Sequence, residues 1–509
     1  MGLPAGLHPP LLTPNSSLLI KMSNPTDPNR KQRIECVEAL HNSQTQIVAA
    51  LSGGGALILG DLLSVPGGSR TLIEATVPYS YESISNYIGR VPEQFCCSRT
   101  ARSLAMTAFY HARKILRSEA LRKQGYVNPE RISPKTVDVS HEISGVSESA
   151  IIRAFQFVEP EDLDESDVYR HIIGIGCTAS LATDRQKLGE HRVHIAIQTL
   201  YQTIQFSLRL QKDARTRWEE ERLVADFILN AIETARLETE HHSHAMPPHF
   251  SGTGEICCPA FTDCPSENYP LYEQIPLKLH SDEVVHGEAA MGSPLLVNLF
   301  FGKLGAVLWA NDEIRHSITH KDIASSTTPY NLCAEFMQAV FPGSFSPIHQ
   351  GHLEMINIAE QRLQGKIVME ISVQNVDKPP FDYIELKHRL AHILEANPKQ
   401  TVWLTQTPLF VHKAELFRGA SFVVGADTIK RFADLRFYYE SIYKLHDILR
   451  MIAFYNCRFL VFARQSKSGL ESLETLEIPD MLRSLCDEVP PSVFTMEISS
   501  SDLRRKEMP

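Results

Sequence analysis

"AVFPGSFSPIHQGHLEMI", residues 339–356, runs from an apolar segment through a glycine-containing bend into a stretch with helical spacing. The C-terminal part of the chain repeats this order of strand, bend and helix. Runs that are apolar along most of their length and alternate with helices are typical of a parallel sheet covered on both faces, so we predict a Rossmann-like α/β domain. The six runs are MQAVF (337–341), IVMEISV (367–373), TVWL (401–404), SFVV (421–424), RFLVFA (458–463) and VFTMEI (493–498).

The bends after these runs carry the residues of a candidate site. In such sheets ligands bind beyond the carboxyl ends of the strands, and these bends are rich in groups that hold phosphate. In the first bend Gly343 has no Cβ to keep the backbone away from a nucleotide, while Ser344 and Phe345 offer backbone N–H groups. His349 and His352 lie three residues apart on the first turn of the predicted helix, so both imidazoles can reach one phosphate.

The composition favours small ligands over polymers. A chain of 509 residues is too long for one core, which predicts two domains. The 50 basic and 60 acidic side chains give a net charge of -10, which removes the broad basic field that nucleic-acid binding needs. The 10 cysteines do not form a dense disulfide framework, and no apolar run reaches the roughly 18 residues of a membrane span. We therefore predict a cytoplasmic protein that binds neither nucleic acid nor a membrane.

Changes in composition divide the chain into five segments. In the fourth segment, PLLVNLFFGKLGAVLWA (294–310) predicts two short strands around Gly302 and Gly305. The third is rich in His and Cys, but Cys257 and Cys258 are adjacent and fit no tetrahedral zinc framework, so no metal site is predicted. The segments are a disordered N-terminus (1–30), an α/β domain (31–237), a linker (238–274), a small connecting segment (275–334) and the Rossmann-like domain (335–509).

Two motifs of the C-terminal domain resemble those of a known superfamily. GSFSPIHQGH (343–352) resembles the G-x-F-x-P-x-H-x-G-H signature of the nucleotidylyltransferases. ISSSDLR (498–504) resembles their I-S-S-T-x-I-R motif, with serine in place of threonine. By this resemblance Arg504 neutralises the leaving pyrophosphate. The further residues expected to hold the nucleotide are Gly351, Ser499, Ser500 and Ser501.

Two other stretches resemble segments of particular transferases and so narrow the choice of substrates. FVVGADTIKRF (422–432) resembles the G-x-D-x-L segment of nicotinamide- and nicotinate-mononucleotide adenylyltransferases, which implies that Gly425 and Asp427 contact the nucleotide. QNVDKPP (374–380) resembles their lysine-bearing loop, which places Lys378 in the phosphate channel. The sequence lacks the R-T-x-G-x-S-T-T segment of cytidylyltransferases, which favours ATP over CTP. Phosphopantetheine remains open as another acceptor.

The resemblance implies transfer without a covalent intermediate. A phosphate oxygen of the acceptor would attack the α-phosphorus of ATP, and pyrophosphate would leave. His349, His352, Lys378 and Arg504 are the expected catalytic residues, and Mg²⁺ would bridge phosphate oxygens, held mostly by substrate and water. The partners are then a nucleoside triphosphate and a small phosphorylated acceptor, with a role in NAD biosynthesis. A non-catalytic nucleotide-binding or scaffold protein is the alternative.

Two N-terminal stretches resemble the CinA family, whose members include nicotinamide-mononucleotide amidohydrolases. IVAALSGGGALILGDLLSVPGGSRTLIEATVPYSYESI (47–84) resembles its E-S-C-T-G-G…V-P-G-S-S…Y-S segment, and IIGIGCTASLATDRQKLGEHRVHIAIQT (172–199) resembles its G-x-A-G-P-T-G…K-P-V-G-x-V segment. The resemblance implies a CinA-like α/β domain ahead of the transferase. Leu51 stands where the amidohydrolases carry their serine, with Ser52 one place later, and Ala50 replaces the preceding glutamate.

These replacements leave three roles open for the N-terminal domain. The first is ligand binding by a candidate loop formed by Ser52, Gly53, Gly54 and Gly55 together with Thr178. The second is a structural or dimerising domain, which would make the protein a homo-oligomer. The third is amide hydrolysis by another route.

Overall fold

The computed structural model describes residues 27–123, 169–185, 188–242, 254–262, 268–320, 323, 339–374, 380–466 and 469–496. The predicted disorder of the N-terminus falls almost entirely outside these residues. The strands are β1 (Gln46–Ser52), β2 (Leu72–Thr76), β3 (Ile172–Ser180), β4 (His191–Gln198), β5 (Gln202–Leu210), β6 (Gly254–Pro259), β7 (Phe261–Thr262), β8 (Val285–Gly292), β9 (Leu304–Ala310), β10 (Glu313–Thr319), β11 (Ala339–Pro342), β12 (Ile367–Ser372), β13 (Val402–Thr405), β14 (Ser421–Gly425), β15 (Arg458–Ser466), β16 (Gly469–Glu471), β17 (Cys486–Val489) and β18 (Thr495–Met496).

Helices lie between most of these strands. The α-helices are α1 (Arg30–Asn42), α2 (Leu57–Ser64), α3 (Gly68–Thr71), α4 (Tyr81–Tyr87), α5 (Ser98–Lys123), α6 (Arg217–His242), α7 (Pro294–Phe300), α8 (Gln350–Leu363), α9 (Tyr383–Ala396), α10 (Phe410–Leu416), α11 (Ala426–Phe432), α12 (Ile442–Phe454) and α13 (Asp480–Ser484). A 3₁₀ turn, Leu435–Tyr438, follows α11.

The N-terminal domain is built on a mixed sheet of seven strands in the order β2-β1-β3-β4-β5-β8-β7. Strand β1 pairs in parallel with β2 and β3, and the remaining pairs are antiparallel. Helix α5 lies directly on β3, because a Cβ at Gly176 would stand 2.0 Å from the carbonyl oxygen of Ala101. Glycine at this position therefore permits contact between the helix and strand backbones.

The C-terminal domain is built on an eleven-stranded sheet with a parallel centre. Its path is β16-β15-β14-β11-β12-β13-β9-β10-β6, and β17 and β18 also pair with β15. Strands β13, β12, β11, β14 and β15 are parallel neighbours, and so are β17 and β18 beside β15. The chain steps outward from β11 to β13 and then returns to the other side of β11. Strand order therefore reverses between β11 and β14, which is where such sheets bind ligands.

Helices cover both faces of this parallel centre, as the apolar runs predicted. On β12, Val368 packs with the core that contains α10, α11 and α12, and the next residue, Met369, packs with the core that contains α8 and α9. Alternate side chains of a strand point to opposite faces, so a buried parallel strand must be apolar in both directions. The Rossmann-like α/β fold class is confirmed.

The connecting segment contributes to both sheets. Strand β8 belongs to the N-terminal sheet, whereas β9 and β10 extend the C-terminal sheet, with β9 antiparallel to β13. The prediction of two strands around Gly302 and Gly305 is wrong in its first half, because residues 294–300 form α7. Ser293 stands at its N-cap and Pro294 at its first turn, a pairing that favours a helix start. Strand β6, in the stretch predicted as a linker, pairs with β10.

The two domains share one hydrophobic core. It joins residues of α5 and α7 to residues of α8, α9 and the C-terminal sheet. Tyr383 of α9 lies at its centre: its hydroxyl donates to the carbonyl of Leu200 over 2.8 Å, and its N–H donates to the Thr203 hydroxyl over 3.0 Å. Its ring also packs on Phe300 of α7, with centroids 4.8 Å apart. The domains are therefore packed through buried side chains rather than merely tethered.

Candidate functional site

The candidate site lies beyond the carboxyl ends of β11, β14 and β15. Residues 343–349 connect β11 to α8, and we call this segment the histidine loop. It begins with a hydrogen bond from Gly343 N–H to the carbonyl of Glu370 in β12, at 3.0 Å. Helix α11 begins directly after β14, and Arg464 lies near the end of β15. The reversal of strand order thus gathers three connections around one point.

Gly343 is required by a neighbouring side chain. A Cβ at this position would stand 2.6 Å from the ring of Phe345, whose backbone has a φ of 42°. That ring is buried and packs edge-on against Phe341 and His352, each with a centroid distance of 5.2 Å. Phe345 was predicted to offer its backbone N–H to the nucleotide. The structure shows in addition that its side chain packs beneath the site.

The two histidines stack at the start of α8. His349 is the N-cap residue, one position before the helix, and His352 is the third helical residue. Their rings are 3.7 Å apart between centroids, with an angle of 26° between the planes. The backbone N–H of His349 donates to Nδ1 of His352 over 3.2 Å. Because Nδ1 of His352 accepts this bond, the proton of the neutral ring is on Nε2, which is then the donor available to a ligand.

Both imidazoles are held in the neutral form. Burial, followed by His349 and Arg464, lowers the pKa of His352 to about 3. Burial and then Arg464 also lower the pKa of His349. Nδ1 of His349 is buried and has no hydrogen-bond partner within the described part of the chain. The pair therefore offers neutral N–H donors, and its positive potential comes from the helix start and from Arg464.

Arg464 is a functional candidate that the sequence did not single out. Its guanidinium pairs with the carboxylate of Asp427 in the first turn of α11. Gly425 precedes that turn, and a Cβ there would stand 2.5 Å from Oδ1 of Asp427. Glycine is thus needed for the carboxylate to fold back toward β15. The available signal was position alone: Arg464 directly follows the apolar run at 458–463.

Helix α9 anchors the histidine loop from below. Arg389 donates to the carbonyl oxygen of Ser344, and its Nε also donates to Oε1 of Glu385 over 3.0 Å. The hydroxyl of Ser346 lies 3.5 Å from Oε1 of Glu385. Ser344 and Ser346 are therefore fixed by side chains from the next helix. Such preorganisation keeps the following histidines in one geometry.

The structure brings together eight of the thirteen residues predicted for the transferase site. Gly343, Ser344, Phe345, His349, Gly351 and His352 lie on one connection, with Gly425 and Asp427 on the connection after β14. Gly351 packs against His349, because a Cβ there would stand 3.3 Å from its ring. The remaining predicted residues lie outside the described part of the chain: Lys378, Ser499, Ser500, Ser501 and Arg504.

The glycine loop of the N-terminal domain is packed against protein atoms. Gly53 has a φ of 77°, and a Cβ there would stand 1.9 Å from the carbonyl oxygen of Ala179. A Cβ at Gly54 would stand 2.6 Å from the Leu181 side chain, and one at Gly55 would stand 2.4 Å from Ile228. The space in front of these glycines is therefore occupied by the domain itself.

The hydroxyl residues beside this loop are buried. Ser52 is 6% exposed and Thr178 is 1% exposed, and the two are register partners across β1 and β3. The Gly53 carbonyl accepts a hydrogen bond from the Arg217 guanidinium at 2.8 Å. The loop thus closes on the N-terminus of α6, and the hydroxyl residues beside it are buried.

Neither a cluster of metal-ligating side chains nor a membrane-spanning helix is found among the described residues. In that part of the chain, no three His, Cys, Asp or Glu side chains are grouped so that they could hold a metal ion. Residues 243–253 and 263–267 of the His- and Cys-rich segment lie outside it. No helix in the described part is both long and apolar enough to cross a membrane.

The C-terminal part is a parallel α/β domain with a candidate site at its reversal of strand order. Residues 340–506 match the family described as Cytidylyltransferase-like, which confirms the superfamily resemblance and supports nucleotidyl transfer in general. No curated protein matches the sequence. A crystal structure of the competence/damage inducible protein CihA from Agrobacterium tumefaciens is similar to part of the chain, with 12% identity and a TM-score of 0.23 over 42% of this chain and 94% of that one.

Proposed function

We propose that the C-terminal domain transfers AMP from ATP to the phosphate of a small acceptor, with nicotinamide or nicotinate mononucleotide as the acceptor class. Pyrophosphate is the second product. One observation carries the proposal: two stacked neutral histidines stand at the start of α8, at the reversal of strand order, with Arg464 beside them. This arrangement suits the binding of a polyphosphate chain whose negative charge shifts during transfer.

The histidines act as hydrogen-bond donors in this proposal. A phosphate oxygen of the acceptor forms a bond to the α-phosphorus, and the bond from that phosphorus to the bridging oxygen of pyrophosphate breaks. The acceptor phosphate is already ionised, so the step needs no general base. Nε2–H of His352 is free of the intrahelical hydrogen bond and donates to a phosphate oxygen where charge accumulates. His349 stacks on it and donates beside it.

Arg464 supplies the positive charge near this pair. It is bound to Asp427 in the free protein, and Asp427 is 42% exposed at its side chain. A polyphosphate that approaches the histidines competes with this carboxylate for the guanidinium, whose planar donors match phosphate oxygens. Asp427 then becomes available to the ribose hydroxyls of the nucleotide. Mg²⁺ would enter with the nucleotide as part of the substrate and would neutralise phosphate charge; no residue of this chain is assigned to hold it.

The N-terminal domain supports the transferase in this proposal. Its glycine loop is filled by its own atoms, and its α5 and α7 form part of the core beneath the transferase helices. We therefore assign it no hydrolytic step. Its contribution is to hold α9, which anchors the histidine loop through Arg389.

A substrate panel tests the function. Pyrophosphate release is measured with Mg²⁺-ATP or Mg²⁺-CTP against nicotinamide mononucleotide, nicotinate mononucleotide and phosphopantetheine. We expect release with ATP and a pyridine mononucleotide. Release with CTP would overturn the choice of nucleotide, and release with phosphopantetheine alone would overturn the acceptor. If protein that still binds ATP releases no pyrophosphate with any of these acceptors, the result would favour a nucleotide-binding scaffold.

A further inference from the structure

A small open cleft of about 40 Å³ lies between the two domains, beneath the histidine loop. Arg90, Arg99 and Ser103 of the N-terminal domain form one wall, and Phe381, Glu385 and Arg389 of the C-terminal domain form the other. The proposed transfer uses none of the N-terminal residues. The cleft nevertheless lies next to the transfer site, because Arg389 also holds the carbonyl of Ser344.

The acidic groups of the cleft are already neutralised. Oε1 of Glu385 is 2.6 Å from Arg389 and 3.1 Å from Arg99, and its Oε2 is 3.3 Å from Arg102. Burial alone would raise the pKa of Glu385, but Arg389, Arg99 and Arg102 hold it well below its usual range. Asp382 is paired with Arg102 at 3.1 Å and caps α9. Neither carboxylate is left to repel an anion.

Arg90 is the arginine of the cleft that forms no ion pair among the described residues, although the charges of Glu385, Glu93 and Asp382 act on it from further away. Its guanidinium makes one hydrogen bond, to the hydroxyl of Ser103 at 2.9 Å, and its buried Nε has no partner in the described part of the chain. Within that part no carboxylate lies at ion-pair distance from it. A half-buried guanidinium is costly to leave unpaired, so a group that accepts two parallel N–H bonds would stabilise it.

We propose that this cleft binds the phosphate group of a small molecule between the domains, with Arg90 as its donor and with Arg99, which is held by Glu385 and Glu93, adding positive charge beside it. A guanidinium matches a phosphate through two parallel hydrogen bonds. Met106 and Phe381 give the cleft an apolar side, against which the remainder of the ligand packs. The phosphate belongs either to the acceptor, which would then reach from the histidine loop into the cleft, or to a separate effector.

Phosphate binding is measured on the full-length protein with the transfer site occupied. Inorganic phosphate is titrated in the presence of saturating α,β-methylene-ATP, and binding is followed by calorimetry. We expect Arg90→Gln to weaken phosphate binding about ten- to a hundredfold while the affinity for α,β-methylene-ATP stays unchanged. This readout needs no turnover, so it stands even if the proposed transfer fails.

The matched control is Arg209→Gln, which removes an arginine that is 81% exposed on β5 of the same domain. It should leave phosphate binding unchanged. Arg90→Lys keeps the charge and should recover part of the affinity, which separates loss of charge from loss of folding. Equal phosphate affinity in the native protein and Arg90→Gln would overturn the proposal, as would the absence of any phosphate binding once the analogue is present.

The kinetics of the transfer reaction then distinguish the two sources of phosphate. This part of the test rests on the proposed function. If the acceptor supplies the phosphate, Arg90→Gln raises the KM for the acceptor about tenfold or more and changes kcat little. If an effector supplies it, the KM for the acceptor is unchanged while phosphate affinity falls. Both results support an anion site between the domains.

Discussion

The chain contains two glycine-bearing loops, one after the first strand of the N-terminal sheet and one after the first parallel strand of the C-terminal sheet, and their structures differ. After β1, the spaces in front of Gly53, Gly54 and Gly55 are filled by Ala179, Leu181 and Ile228. After β11, the loop ends in two stacked histidines whose donors are not consumed by the fold. Glycine in such a loop therefore indicates close approach, and only the surrounding residues tell whether a ligand or the protein itself approaches.

The comparison assigns transfer to the second loop, which is the histidine loop. The largest expected effect of a substitution, on the rate of pyrophosphate release, tests this assignment. Replacing both His349 and His352 by alanine should lower the rate of pyrophosphate release by about 10²-fold or more, because both donors to the phosphates are lost. The matching change in the first loop is Ser52→Ala, which removes a buried hydroxyl and should leave that rate unchanged. Rates are measured with the best substrate pair from the panel.

The opposite result would be informative in each arm. An unchanged rate in the double variant, with folding verified by circular dichroism, would remove the histidines from the mechanism. A lower transfer rate in Ser52→Ala would show that the first loop is coupled to the transferase. Either finding would contradict the assignment of transfer to the second loop and of a purely structural role to the first.

Stability should respond most strongly to changes in the first loop. Gly53→Ala combines a φ of 77° with a Cβ placed 1.9 Å from a backbone oxygen of Ala179. We expect it to lower the free energy of unfolding by about 3 kcal/mol, because both strain and overlap must be relieved by moving backbone. Urea unfolding followed by fluorescence measures the difference.

Gly60 provides the control for this substitution. It lies inside α2, and a Cβ there would meet nothing within 4 Å. Gly60→Ala should therefore raise the free energy of unfolding by about 0.5–1 kcal/mol through helix propensity. If Gly53→Ala were as well tolerated as Gly60→Ala, the first loop would have room to rearrange, and a ligand role for it would regain support.

The sequence predicted the parallel domain well because its evidence is local. Each buried strand is an apolar run, and the two histidines are three residues apart. The packing of the first loop could not be predicted in this way, since Gly53 meets Ala179 and Gly55 meets Ile228, both far along the chain. Arg464 was missed for the same reason: its relation to His349 exists only after β15 has joined the sheet. Helix α7 was mispredicted although Ser293 and Pro294 carried a local signal.

The smallest expected effect is a dependence of stability on pH, and it tests the histidines of the second loop. His352 has a pKa lowered to about 3 by burial, by His349 and by Arg464, against an ordinary 6.5. Between these values the unfolded chain binds a proton that the folded protein excludes. The stability due to the neutral ring is therefore complete above about pH 6.5 and is lost as the pH falls toward 3, by up to about 1.4 kcal/mol per pH unit.

His352→Asn isolates this contribution, because the amide oxygen can accept the bond from His349 N–H but does not titrate. Free energies of unfolding are measured for both proteins from pH 7 to pH 4.5. His194 and His412, whose pKa values burial lowers to about 4, give slopes in the same direction but are present in both proteins and cancel. As the pH falls, the free energy of unfolding should decrease more steeply for the native protein than for His352→Asn. The difference in slope should reach at most the value for one bound proton, about 1.4 kcal/mol per pH unit. Parallel curves would mean that folding does not lower the pKa of His352, so that the folded protein would protonate this ring in mild acid; the strongly neutral donor proposed for the second loop would then be wrong.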